Sequence, residues 1–390
     1  MVKKILLVLL ICNISNYSFG WGFWAHKRIN RLSVFTLPPE MLKFYKAHIE
    51  FITEHAVDPD KRRYAIDGED IKHFIDIDHY GTLPFDNVPR YWDDAIATFS
   101  EDTLRSYGII PYSLPREVFK LTQAFRNGDL EKILKYSADI GHYVGDSHVP
   151  LHTTLNYNGQ LTGQKGIHGF WESRLPELFG EKYNFLVGRA YFIPNIEMEV
   201  WDAVLESHTA LDSVLSFERA LSETFSPDKK YSYESRNAVT VRAYSKEYSA
   251  KYHQMLGGQV ERRMRKSILR IGSIWYTAWK NAGSPDLSDL AKKTYKDKPV
   301  IFKKKLKNIQ NREGLYVSGS LKSFRNGNWA TNLHEESCCC RFPEDHRVST
   351  PSLYQIASTL AWRPDAYAVP EEQTALPLVD KIWNWLSLLV

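Results

Sequence analysis

Cysteine is missing from most of this chain. The sequence has four cysteines, of which Cys12 lies near the start and Cys338 to Cys340 stand together near the end. Adjacent cysteines make no useful disulfide framework, and a domain of this size can fold without one. Because residues 21–302 contain no cysteine, any metal site there must be built from histidine, carboxylate and backbone ligands.

A strong charge of one sign, sequence repeats and strand signals are also scarce. The formal net charge is +4 over 390 residues, too little to indicate a nucleic-acid or membrane partner by itself. With 43% hydrophobic and 13% aromatic residues, the chain can bury one large core or two moderate ones. Apolar residues recur mostly at helical spacing, so the sequence predicts a mainly α fold.

The first twenty residues have the pattern of a secretory signal peptide. Lys3 and Lys4 precede an apolar run over 5–11, and the small residues Ser18 and Gly20 follow. The run is too short to span a bilayer. We expect cleavage after Gly20, which makes Trp21 the mature N-terminus and sends the protein to the periplasm or the cell exterior.

Residues 21–285 are predicted to form the main domain, followed by a Lys-rich linker and a C-terminal tail of unknown role over 286–390. The Asp-Pro-Asp segment at 58–60 is predicted as a loop, and residues 72–81 as a short strand or extended segment. Helices are predicted over 27–36, 39–53, 92–107, 115–126, 130–145, 196–225 and, in two pieces broken at 257–258, over 236–282.

The stretch from Ser137 to His152 concentrates polar residues on one helical face. His142 and Asp146 are four positions apart, so a helix brings them to the same side. Pro150 ends the helix, and His152 follows two residues later. A pair of hydrogen-bonding core residues would explain this stretch alone, whereas a metal site requires further ligands elsewhere.

Further ligands of the same type occur along the chain. The candidates outside this stretch are His26, Asp58 with Asp60 as its alternative, His73, His168 and Glu172. Imidazole and carboxylate without thiolate suit zinc in open catalytic sites. Eight such residues exceed the four ligands of a closed structural site, so they predict several ions that share a carboxylate.

This set of residues resembles the zinc-dependent phospholipases C and the related single-strand-specific zinc nucleases and 3′-nucleotidases. The resemblance implies a compact multi-helix fold, three zinc ions and a mature N-terminal Trp21 that binds zinc through its amino nitrogen and carbonyl oxygen. It assigns Asp58, His73, His142 and Asp146 to one zinc, His152, His168 and Glu172 to a second, and Trp21 and His26, with Asp146 bridging, to the third.

The resemblance also implies a mechanism, in which zinc lowers the pKa of a water toward about 7 and stabilises the leaving oxygen. Asp76 resembles the aspartate that orients the attacking water. Lys61 lies where relatives place a basic residue against phosphate, although Arg62 and Arg63 are adjacent. Phe74 is expected to stack a base.

The resemblance is compatible with two classes of substrate, a phospholipid head group and single-stranded nucleic acid or a nucleotide. It implies no obligate protein partner. The W-x-x-x-x-H opening and Phe74 are typical of the nucleases. Glu172 in place of aspartate, and the short loop from His152 to His168, are typical of the phospholipases. The alternative is an inactive exported protein with a structural zinc cluster.

Overall fold

The computed structural model describes residues 22–236 and 239–295, which form a mainly helical body. The predictions for the signal peptide, for Trp21 and for residues 296–390 lie outside the described residues. Among the described residues, no helix combines the length and the apolar character needed to cross a bilayer.

Helices make up most of the body. In chain order they are α1 (Phe23–Ser33), α2 (Pro39–Ala47), α3 (Ile49–Glu54), α4 (Asp58–Arg62), α5 (Trp92–Phe99), α6 (Glu101–Ser106), α7 (Ile110–Arg126), α8 (Leu130–Ser147), α9 (Ile167–Gly169), α10 (Leu175–Phe179), α11 (Ile196–Thr224), α12 (Lys246–Met255) and α13 (Gln259–Asn281). A π-helical turn, Phe170–Arg174, joins α9 to α10.

The core is organised around α8, which packs against α7, α13, α1 and α3. The side chain of Asp129 caps its first turn by accepting a hydrogen bond from the Lys132 backbone N–H at 3.1 Å. The second half of α8, from Ser137 to Ser147, is buried on every side. Polar side chains in this half therefore require partners inside the protein.

Two segments around the candidate ligands differ from the prediction. The Asp-Pro-Asp segment begins the short helix α4 instead of a loop, because Pro59 falls in the first helical turn, where its missing N–H costs nothing. For the same reason α7 begins at Ile110, with Pro111 in its first turn, and not at Pro115.

A β-hairpin replaces the start of the helix predicted over 236–282. Strands β1 (Tyr231–Arg236) and β2 (Val239–Tyr244) pair antiparallel, with Tyr231 opposite Tyr244. The β-branched and aromatic residues of V-T-V-R-A-Y favour a strand, and the helical part begins only at Lys246. The break at 257–258 is confirmed, since α12 and α13 are separated there.

The packed body extends past the boundary expected near residue 285. Leu287 and Leu290 are buried in the core, and the His48 ring bonds to the Leu290 carbonyl at 3.2 Å. The first residues after 285 therefore belong to the helical body.

Candidate metal centre

Asp146 lies at the centre of the candidate site. Its Oδ2 is 2.9 Å from His73 Nδ1 and 3.2 Å from His142 Nε2. Its Oδ1 is 3.4 Å from His26 Nε2 and 3.9 Å from His152 Nδ1. The two oxygens of one carboxylate thus face different sets of histidines, as a bridging ligand requires.

Asp60, His73 and His142 form the first of three groups that could hold a metal ion, and all three are fully buried. His142 Nε2 is 3.0 Å from His73 Nδ1 and 3.6 Å from Asp60 Oδ1. His142 Nδ1 bonds to the Ala56 carbonyl at 2.9 Å. Because a carbonyl only accepts, Nδ1 carries the hydrogen and Nε2 presents its lone pair to the group.

His26 and Asp146 form the second group, with His142 close to both. Helix α1 carries His26 against α8, so that its ring stacks on the His142 ring with centroids 3.9 Å apart. Among the described residues, neither ring nitrogen of His26 has a hydrogen-bond partner. A third ligand from Trp21, which the resemblance implies, lies outside the described residues.

His152, His168 and Glu172 form the third group. His152 lies on the 3₁₀ turn Pro150–Thr153, and its Nδ1 donates to the His73 carbonyl. Its Nε2 is therefore left to face Glu172 Oε2, at 3.4 Å. His168 Nε2 lies 2.9 Å from the same oxygen. Gly22, the first described residue, donates its backbone N–H to the Glu172 carbonyl at 3.2 Å.

The spacing of these atoms matches ligands around a common ion. Two ligand atoms about 2.0 Å from a tetrahedral zinc lie about 3.3 Å apart. Nearest distances within the groups run from 2.9 to 3.8 Å. Across residues 22–236 and 239–295, neither oxygen of Asp60 or Glu172 has an aligned hydrogen-bond partner. Such buried acceptors are costly unless a cation satisfies them.

The pKa values in the cluster depend on burial and on the charges of neighbouring groups. Burial raises the pKa of Glu172 to about 8. Burial and the positive charge of Arg63 lower the pKa of His168 to about 4. Although burial opposes it, the carboxylates of Asp146 and Asp60 raise the pKa of His142 to about 8. A divalent cation would reverse the first shift by stabilising the ionised Glu172.

The structure brings Asp60, and not Asp58, to the cluster. The Asp58 side chain is 29% exposed and bonds to Lys61 Nζ at 2.8 Å and to His55. On a helix two positions correspond to about 200° of rotation, so the two carboxylates of α4 point in opposite directions. Asp60, the alternative candidate, therefore replaces Asp58 as the candidate ligand.

Among the three basic residues of α4 and its end, Arg63 lies beside the cluster. Its Nη1 is 3.8 Å from Asp60 Oδ1, and only 9% of its side chain is exposed. Lys61 is 52% exposed and turns to Asp58. Arg62 points into the core, where it bonds to Asp139 at 2.9 Å. Sequence reasoning preferred Lys61, and the i, i+3 spacing does not distinguish the two, since it relates Lys61 to Asp58 and Arg63 to Asp60 alike.

Asp76 and Phe74 follow His73 in a segment that is attached to the third group. The Ile75 backbone N–H donates to the His152 carbonyl at 2.9 Å. Asp76 is buried, but it belongs to none of the three groups. Phe74 is half-buried, and its ring covers Gly108, where an added Cβ would lie 2.6 Å from the ring.

Comparison of the chain with protein-family models and with curated proteins finds no match.

Proposed function

We propose that this protein is a zinc-dependent phosphodiester hydrolase with a fold of the phospholipase C and single-strand nuclease type. The observation that supports the proposal is the cluster of three buried ligand groups. Two of them meet at Asp146, and His152 of the third lies 3.9 Å from its Oδ1. A structural zinc site needs four ligands and is closed. Adjoining groups with a shared carboxylate are instead typical of multi-metal sites for phosphate esters.

The proposed ligands follow the three groups. Asp60, His73 and His142 hold one zinc, and His152, His168 and Glu172 hold another. His26 holds the third together with the N-terminal amine and carbonyl of Trp21. Asp146 bridges, with Oδ2 toward the first group and Oδ1 toward His26. Because His142 Nδ1 donates its hydrogen to the Ala56 carbonyl, only Nε2 can bind zinc, and it belongs to the first group.

Zinc, when bound, supplies Lewis acidity that acidifies a water and offsets the charge of a phosphate. The protein's own residues supply position. Arg63 offers a guanidinium to phosphate oxygens beside Asp60. Asp76 accepts a hydrogen bond from the attacking water and so orients it. Phe74 offers an aromatic surface to the part of the substrate beyond the phosphate.

Export belongs to the same proposal. The signal peptide over 1–20 and cleavage before Trp21 would create the free amino group that the third zinc needs, because an amide nitrogen cannot donate a lone pair.

The decisive experiment compares substrates on one preparation of the protein beginning at Trp21. Single-stranded DNA, single-stranded RNA, a 3′-nucleotide and phosphatidylcholine are assayed with and without a chelator, alongside Asp146→Asn. We expect hydrolysis of one substrate class, loss on chelation, and at least about a 100-fold lower turnover in Asp146→Asn, since even second-shell changes cost 10–100-fold. Zinc content is measured in parallel.

Two results would contradict the proposal. One is protein with full zinc that hydrolyses none of the four substrates, which would favour the alternative of a structural zinc cluster. The other is an Asp146→Asn variant that retains full zinc and most of its turnover, which would exclude the bridging role.

A further inference from the structure

The segment from Gly166 to Arg174 carries two of the three ligands of the third group on an irregular helix. After Gly166 come the single turn of α9 and the π-helical turn, which continues into α10. A π turn is rare and is kept mainly where a function needs it. Because it interrupts the regular α-helical hydrogen bonding, contacts from the elements that pack behind the segment help to set the positions of His168 and Glu172.

Behind Glu172 lies the β-hairpin. Arg174 Nε donates to the Tyr244 carbonyl at 3.1 Å, and Nη1 donates to Glu234 Oε2 at 2.9 Å. Nη2 also bonds to Glu234, which makes the pair bidentate. Only 8% of the Arg174 side chain is exposed. Phe170, two residues before Glu172, stacks on Tyr244 with ring centroids 3.8 Å apart.

The hairpin is itself attached to α11. Lys230, just before β1, donates to Glu218 Oε1 and to Ser222 Oγ, each at 2.8 Å. Glu218 is buried and also accepts from Gln164 Nε2 at 2.6 Å. Gln164 precedes the ligand segment and Arg174 ends it. Both ends of the segment are therefore fixed through the hairpin and α11.

We propose that the hairpin is a positioning element for the zinc of the third group, and that Arg174 and Glu234 are its positioning residues. The proposal rests on the proposed function, in which His152, His168 and Glu172 hold zinc. It goes beyond that function because it makes the hairpin a determinant of the zinc affinity of one of the three sites. Partners that orient a metal ligand typically contribute 10–100-fold in affinity.

The test measures zinc affinity with Glu234→Gln, Arg174→Met and Arg174→Lys. Each protein is equilibrated with chelator-buffered zinc, and bound zinc is determined by elemental analysis. We expect the affinity for one zinc to fall 10–100-fold in Glu234→Gln and Arg174→Met, with the other two unchanged. Arg174→Lys, which keeps the charge but loses the bidentate geometry, should lie between these variants and the wild type.

A second background identifies the ion. Glu172→Gln removes a ligand of the third group, so the protein should bind one zinc fewer. In that background Glu234→Gln should have no further effect on zinc binding. Glu199→Gln is the matched control, since it neutralises the partner of Arg270 in a comparably buried pair, at 2.6 Å, on α11 and α13.

Three outcomes would overturn the inference. In the first, the Arg174 and Glu234 variants lower the melting temperature but keep the wild-type zinc affinities, so that the hairpin is only structural. In the second, Glu234→Gln still weakens zinc binding in the Glu172→Gln background. In the third, the wild type binds no zinc, a result that separately overturns the proposed function.

Discussion

Asp58 and Asp60 are two positions apart, but they have opposite surroundings. Asp60 is fully buried next to His73 and His142, whereas Asp58 is bonded to Lys61 near the surface. We predict that Asp60→Asn loses one zinc and at least about 100-fold in turnover. Asp58→Asn should keep its zinc and lose less than twofold in turnover. Elemental analysis and turnover on the cleavable substrate measure both. Equal loss in the two variants would exclude Asp60 as the specific ligand.

Arg63 and Lys61 form a second matched pair. Arg63 lies beside Asp60 and is mostly buried, while Lys61 is half exposed and faces Asp58. A charge-assisted hydrogen bond contributes about 1.5–3 kcal/mol. Arg63→Met should therefore lower kcat/KM roughly 10–100-fold at unchanged zinc content. Lys61→Met is the control and should be nearly silent. If Lys61→Met lost more kcat/KM than Arg63→Met, Lys61 would be the residue that contacts the phosphate.

The sequence predicts which types of residue are ligands better than it predicts in which direction each side chain points. Six candidate ligands were selected from the sequence, and the structure brings them together: His73, His142, Asp146, His152, His168 and Glu172. Asp58 and Lys61 were preferred because the resemblance assigns a ligand and a basic residue to those positions, with Asp60, Arg62 and Arg63 kept as alternatives. Which side chains of α4 turn inward depends on the residue at which that short helix begins, and the sequence does not fix this to within one residue.

The contact between α1 and α8 depends on Gly141. A Cβ at this position would lie 2.1 Å from Asn30 Oδ1, and Asn30 is buried and donates to the Ala138 carbonyl at 3.1 Å. Overpacking costs about 1–3 kcal/mol, while alanine gains at most about 1 kcal/mol of helix propensity. We predict that Gly141→Ala is destabilising and weakens zinc binding at His26, which α1 holds against His142.

Thermal unfolding and zinc titration measure the effect of Gly141→Ala. The control is Asn30→Ala, which removes the obstructing amide. The double variant should be no less stable than Asn30→Ala alone. A double variant in which the two losses simply add would show that the clash is not the cause.

A buried ion pair joins α4 to α8 beneath the site. Arg62 bonds to Asp139 at 2.9 Å, and Lys135 also contacts Asp139. Although burial opposes it, the charges of Arg62 and Lys135 lower the pKa of Asp139. Since the folded pKa lies below the unfolded value of about 4, the stabilisation is present above that pH. It is lost as the pH falls through the folded pKa.

Asp139→Asn should therefore lower the free energy of unfolding by about 3 kcal/mol at pH 7. Its difference from the wild type should shrink as the pH falls below about 4. Denaturant titration of chelated protein over a pH series measures this. A difference that does not change with pH would show that the ionised carboxylate is not responsible.

At the scale of elements, helices were predicted where apolar spacing is regular, as in α8 and α11. The hairpin was missed although the residues of β2 favour a strand locally, because the helical stretch was read as beginning at residue 236. The packing of Tyr244 on Phe170 and Tyr248, which holds the hairpin, is tertiary. The end of the body was missed because the Gly-Ser-Pro sequence at 283–285 was read as a boundary, although Leu287 and Leu290 beyond it are buried in the core.

For the whole molecule, zinc is expected to be a large part of the stability. A ligand at about 1,000 times its dissociation constant stabilises by about 4 kcal/mol. For a domain of this size that corresponds to about 10 °C or more in melting temperature. Chelation should lower the melting temperature by at least this amount, and zinc, but not magnesium, should restore it. Calorimetry measures the shift. A melting temperature that is unchanged on chelation would exclude zinc bound in the core of the protein.

The hydrogen bond from the Gly22 N–H to the Glu172 carbonyl has a consequence for the order of events during synthesis. A ribosome adds about 5–20 residues per second, so the two partners emerge roughly 8–30 s apart. Such a long-range contact also forms slowly, since closing a long loop is entropically costly. His26 is therefore made many seconds before Glu172, the last of the proposed ligands. Under the proposed function, the complete set of zinc ligands exists only once the first 172 of the 390 residues have been synthesised.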